Sequence, residues 1–233
     1  MAALIFCQLG GCGSPPWMRA GELEKDGDFV QAAKVHEAEA ARHREGRFLF
    51  DTSRELAAAS RLYAKAGDLP KARELAQSRV DWWDENGGGK VATFKGGEAF
   101  DTLADTAEAL AALADVCAQA KDAACVASAG ERITKLFDSR AVSMAYGKVL
   151  THSSAHDYAS SLDKLAKAHA GVGQQDLALR VKVLALSTGY GLEEFRYSEV
   201  ISLAKRNGKQ ALAKELEGIR ILVWNEHELN RAT

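Results

Sequence analysis

Apolar residues recur at intervals of three and four along most of the chain, and short polar turns interrupt the pattern. Leu62-Tyr63-Ala64-Lys65-Ala66 ends one helical run, Gly67-Asp68 turns the chain, and Pro70 stands in the first turn of the next run. Ala72, five residues past the glycine, is small enough to let the two helices approach closely. The same arrangement recurs at Asp26-Gly27-Asp28 with Ala32, Lys121-Asp122 with Val126, Gly173 with Ala178, and Asn207-Gly208 with Ala213. The pattern predicts five helical hairpins, over 16–44, 52–84, 99–138, 153–188 and 192–228.

Setting the hairpins against one another at their turns brings apolar positions into register. On the first helices Leu56, Leu110 and Leu162 coincide, as do Ala59, Leu113, Leu165 and Val200. Ser60, Ala114 and Ala166 share the close-contact position, and Tyr63, Cys117 and His169 the next inward one. On the second helices Val35, Leu75, Ala129, Val181 and Leu216 align. A stripe of this spacing is the buried face of an amphipathic helix. Its repetition about each turn means that every hairpin buries a face against its neighbours.

These hairpins resemble tetratricopeptide (TPR) repeats, whose period is about 34 residues. Ser60-Arg61-Leu62-Tyr63 through Ala72 carries the likeness best, and Leu165-Ala166-Lys167-Ala168-His169 through Ala178 comes next. The resemblance implies an all-α, TPR-like α-solenoid of about five hairpins forming a right-handed superhelix. It spans most of 16–228, with 1–15 as a leader and tether and 229–233 as a tail. Two connections are irregular. The glycine-rich stretch 85–98 is expected to be a mobile loop, and 138–151 to hold one short helix.

The family geometry sends to the ligand-facing groove the side chains left over from the buried stripes. These are Arg54, Arg61 and Lys65; Glu108, Asp115 and Gln119; Asp163 and Lys167; and Phe195, Lys205 and Arg206. The asparagine-plus-lysine clamp of chaperone-binding members is missing, since Ala57 and Arg61 stand at those positions. Trp82 and Trp83 are the aromatic anchors beside the glycine-rich loop, one expected in the core and one near the surface, and Trp224 is expected to close the last hairpin. The implied role is recognition of another protein, with no cofactor.

Composition narrows the picture. With 233 residues, 30 basic and 32 acidic side chains, the chain lacks the basic excess that marks nucleic-acid binding. No apolar run reaches the roughly 18 residues of a spanning helix. The start is distinctive: Met1 to Leu9 is apolar apart from Gln8, then Leu9-Gly10-Gly11-Cys12 leads into Gly13-Ser14-Pro15-Pro16. This resembles a bacterial lipoprotein signal ending at a lipidated cysteine, here Cys12, although no basic residue precedes the apolar stretch. The other reading is an unstructured apolar leader. The lipoprotein reading implies a periplasmic, membrane-anchored adaptor or an immunity-type protein that neutralises a toxic enzyme. The alternatives are a cytoplasmic TPR-like regulator and a helical hydrolase.

The candidate chemistry is sparse. Gly87-Gly88-Gly89-Lys90-Val91 fails as a phosphate loop, because Asp84 stands where the first glycine belongs and Val91 where Ser or Thr belongs. His152 and His156, four apart, share a helical face, and Asp157 would add a third ligand or complete a hydrolase site. The glutamate of metalloprotease helices is missing, so no metal is expected. Ser153 and Ser154 beside His156 lack an oxyanion hole and read as helix caps. His169 reads as a core histidine. Cys117 and Cys125, on opposite sides of the third turn, are either a disulfide, if their Cα atoms lie within about 7 Å, or two small core thiols.

Overall fold

The turn at Gly67 shows how the sequence builds this chain. In the computed structural model Gly67 adopts φ +84°, a left-handed conformation that costs glycine nothing. The following Asp68 N–H donates to Tyr63 O at 2.9 Å, and the Asp68 carboxylate accepts from Lys71 N at 3.1 Å. One residue thus closes the C-terminus of the first helix and caps the N-terminus of the second. The same six-residue closure recurs at Asp28, Asp122, Gln174 and Lys209, each donating over 2.9 Å to the carbonyl five residues back. Asp28 and Asp122 repeat the carboxylate cap, accepting from Gln31 N and Cys125 N.

The structure describes residues 15–88, 91–93, 99–145, 152–187 and 194–231; side chains are described over 15–88, 102–136, 156–186 and 196–221. The helices are α1 (Pro16–Lys25), α2 (Phe29–Glu45), α3 (Leu49–Lys65), α4 (Leu69–Glu85), α5 (Leu103–Gln119), α6 (Ala123–Ala145), α7 (His152–Gly171), α8 (Gln175–Ser187), α9 (Glu194–Arg206) and α10 (Gln210–Arg231). They pair as the five expected hairpins. By contacts the chain forms two compact units, Met1–Arg79 and Val80–Thr233.

In the first unit α2 packs against both α1 and α3. The turn between α2 and α3 repeats the hairpin closure, with Arg47 at φ +57° and Phe48 N donating to His43 O. Ala32 and Ala72, the small residues past the glycines, are fully buried, and Ser60 Oγ donates to Ala72 O at 2.8 Å across the contact. Leu56, Ala59 and Tyr63 lie in the core, whereas Val35 is half-buried. The Tyr63 hydroxyl donates to Glu37 at 2.7 Å; burial first, and then this carboxylate, push the phenol up to about 12.

In the second unit α5 packs on α6 and α7, α7 on α8, α8 on α9, and α9 on α10. Val126, Ala178 and Ala213 fill the close-contact positions and are buried, as are Leu110, Leu113, Leu162, Leu165 and Val200. Successive turns are tied together: Lys121 Nζ donates to Gly171 O, Gln174 Nε2 to Ala123 O, and Asn207 Nδ2 to Gln175 O. Cys117 and Cys125 are joined by a disulfide, with Cα atoms 5.9 Å apart.

Three boundaries differ from the expectation. The glycine-rich stretch 85–98, expected to be a mobile loop, carries β1 (Val91–Thr93), which pairs antiparallel with β2 (Ala99–Asp101) at the expected start of the third hairpin, so that Ala92 faces Phe100 and α5 begins only at Leu103. Valine, threonine and phenylalanine on either side of a glycine pair favour such a ribbon. The separate short helix expected within 138–151 is replaced by an extension of α6 to Ala145, since nothing there breaks the helical pattern; 146–151 lie outside the described residues. At the far end α10 runs on to Arg231.

Candidate functional site

The first unit carries a groove of about 980 Å3 bounded by α1, α2 and α3. Three stripes at helical spacing line it: Trp17, Gly21 and Glu24 on α1, Val35, His36 and Glu39 on α2, and Arg54, Ala58 and Arg61 on α3. Pro15 and Pro16 set the start of α1, and Trp17 lines the groove with 72% of its surface exposed. A Cβ on Gly21 would meet nothing within 4 Å. The glycine therefore widens the wall rather than relieving a clash.

Charge in this groove is satisfied internally. Arg61 grips Glu24 with two hydrogen bonds, at 2.7 and 3.1 Å, and Lys65 Nζ reaches the same carboxylate at 2.8 Å. The hydrogen bond from Arg61, then that from Lys65, hold the Glu24 carboxyl at about 2. His36 Nδ1 lies 2.6 Å from Glu55, whose carboxyl is held below its usual range chiefly by that bond. Arg54 pairs with Asp51 at 2.7 Å and Arg42 with Glu39 at 2.7 Å. A partner's ions would have to displace these pairs, whereas Trp17 offers apolar surface without that cost.

Arg54 and Arg61 thus line a groove, but Arg61 and Lys65 are already bonded to Glu24. Glu24 lies on a different hairpin, 37 residues before Arg61, so sequence spacing did not expose the pairing. Trp82 and Trp83 are both buried, 7% and 0% exposed, where one was expected at the surface. Neighbouring helical positions lie about 100° apart, so both rings fit within one broad apolar stripe. Asp115, Lys167, Lys205 and Arg206 are exposed on α5, α7 and α9; Asp115 accepts from Gln119, and Lys205 lies 3.9 Å from Glu217. Asp163 is drawn into a pair with Lys182 at 2.8 Å. Three grooves in the second unit are lined by residues other than these four. Cys12 and the side chains of Phe195, Trp224 and His152 lie outside the described residues.

His156 and Asp157 are exposed neighbours, 3.0 Å apart on α7. Among the described residues no group of three His, Cys, Asp or Glu is placed to hold a metal ion. His169 is buried, with Nδ1 2.7 Å from Gln174 Oε1. Trp17 was missed by sequence reasoning; the signal for it was a tryptophan set behind two prolines at a helix start, where no apolar stripe claims it.

No protein-family model matches the chain, and no curated protein matches it in sequence. Solved structures do share its fold. BtubC (BKLC) from P. vanneervenii is 15% identical, covers 91% of this chain and 80% of its own, and has a TM-score of 0.55. A Podosopora anserina protein with nearly identical TPR-like repeats is also 15% identical, with 91% and 94% covered and a TM-score of 0.52. With the hairpin geometry, these likenesses show that the chain has an all-α fold of the TPR-like helical-repeat class.

Proposed function

We propose that this chain is a non-catalytic protein-recognition module and that the groove of the first unit receives a segment of its partner. The observation that carries this is Trp17, 72% exposed on the wall of a groove of about 980 Å3 whose charges are already paired. A tryptophan so placed is the kind of anchor that dominates binding energy at protein interfaces. Scaffold folds of the TPR-like class support a protein partner, and recognition of this kind calls for no cofactor.

The disulfide between Cys117 and Cys125 supports an oxidising compartment, because such bonds are rare in a reducing cytosol. Together with the Leu9-Gly10-Gly11-Cys12 stretch, it favours a periplasmic protein held by a lipid on Cys12 over a cytoplasmic regulator. No helix among the described residues is long and apolar enough to cross a membrane, so the anchor would be the membrane contact. In that setting the protein acts as an envelope adaptor or as an immunity-type protein bound to a harmful enzyme.

Two measurements test these readings. Mass spectrometry of the native N-terminus should find a diacylated Cys12, and an intact Met1 would end the anchored reading. Peptide segments selected for binding to the full chain should perturb amide resonances of α1 and α3 and lose binding to Ala58→Trp, which fills the groove. Binders indifferent to that substitution would end the groove reading.

A further inference from the structure

Helix α6 carries a glycine in its interior, Gly130, where glycine weakens a helix. The reason is His169: a Cβ on residue 130 would stand 2.7 Å from its Nε2 and 3.2 Å from its Cε1. His169 is 2% exposed, and its Nδ1 contacts Gln174 Oε1 at 2.7 Å. Gln174 Nε2 donates to Ala123 O at 3.1 Å, which fixes the amide orientation and makes Nδ1 the donor. In the neutral ring Nε2 is then a lone-pair acceptor. No described residue hydrogen-bonds to it.

That nitrogen does not face closed core. His169 and Gly130 both line a groove of about 630 Å3 between α6 and α8, with Leu177, Val181 and Leu184 on the α8 side. Arg180 and the Glu131–Lys135 ion pair also border it. The site thus combines an apolar wall, the Nε2 acceptor of a buried histidine and a net positive rim. Its size falls within the range of small-molecule pockets.

We propose that this groove binds a small neutral aromatic ligand carrying one N–H or O–H donor, of the indole or phenol class. The donor bonds to His169 Nε2, and the ring lies against Leu177, Val181 and Leu184. A rigid ring with a polar tip matches a single acceptor in an apolar setting and loses few rotamers on binding. The glycine keeps a Cβ from crowding Nε2 at 2.7 Å. The positive rim opposes a cationic ligand. This reading does not depend on the protein partner proposed above.

The test uses the full chain with 15N-labelled histidine, titrated with indole and with 1-methylindole, which keeps the ring and lacks the donor. Indole should move the His169 Nε2 resonance and bind roughly five- to tenfold more tightly than its methylated form, the worth of one hydrogen bond. Leu177→Gln removes part of the apolar wall at a position that is already 36% exposed, so the fold should persist while indole binding weakens several-fold. Equal binding of the two ligands would overturn the proposal. So would an unmoved His169 resonance at millimolar indole, or unchanged affinity in Leu177→Gln.

Discussion

Reducing the Cys117–Cys125 disulfide removes a constraint while leaving the packing atoms in place. Both sulfurs remain, each gaining a hydrogen, so no cavity opens as it would with alanine. The turn that the bridge closes is also held by other means: Lys121 sits at φ +59°, Asp122 N donates to Cys117 O at 2.9 Å, and Asp122 Oδ1 accepts from Cys125 N at 3.0 Å. The folded hairpin should therefore keep its shape when reduced, and the loss should fall on the unfolded chain. The bridge spans a sequence separation of 8, and releasing a loop of that size costs about 2.5 kcal/mol of stability at 25 °C in the chain-entropy account. The assay is urea unfolding of the full chain followed by circular dichroism, with and without a phosphine reductant, with thiols mapped by alkylation. With a slope of about 2.5 kcal/mol/M, the midpoint should fall by about 1 M. Two free thiols at 117 and 125 before reduction would refute the reasoning, as would an unchanged midpoint after it.

Other expectations follow from single contacts. Gly67→Ala forces a side chain to φ +84°, where its Cβ meets nothing within 4 Å, so the loss is backbone strain alone, about 1 kcal/mol by urea unfolding. The Glu24 carboxyl, at about 2 rather than 4.5, lends stability that is complete above pH 4.5 and disappears as pH falls towards 2. Glu55, shifted the same way by His36, adds to that acid loss. Because Glu24 is partly exposed, Glu24→Gln should flatten the acid limb by less than about 1 kcal/mol, read from unfolding midpoints between pH 6 and pH 3. Trp83→Ala should cost about 3–5 kcal/mol, whereas Trp17→Ala should leave stability within about 0.5 kcal/mol, both by the same unfolding assay.

What could be read from the chain alone was local. Gly27, Gly67, Gly173 and Gly208 mark the turns because each takes a positive φ, and the small residue five positions on marks the helix contact. The third turn remained legible without glycine because Asp122 supplies the cap. The equivalent turn at Arg47 went unread, since an arginine holds the positive-φ position, Gly46 stands one place early, and Thr52 rather than alanine lies five residues on. Long-range pairing was hidden. Arg61 and Lys65 look like free groove cations until Glu24 arrives from another hairpin, and Gly130 looks idle until His169 packs against it. Trp82 and Trp83 were misread for a related reason: the periodicity of one helix does not show how many neighbours cover it.

The central claim, that Trp17 anchors a partner segment in the groove of the first unit, is tested most directly by calorimetric titration of a selected binding segment into the full chain and into its Trp17→Ala variant. The account predicts affinity weakened at least about tenfold with an unchanged unfolding midpoint. Equal affinities for the two chains would contradict it.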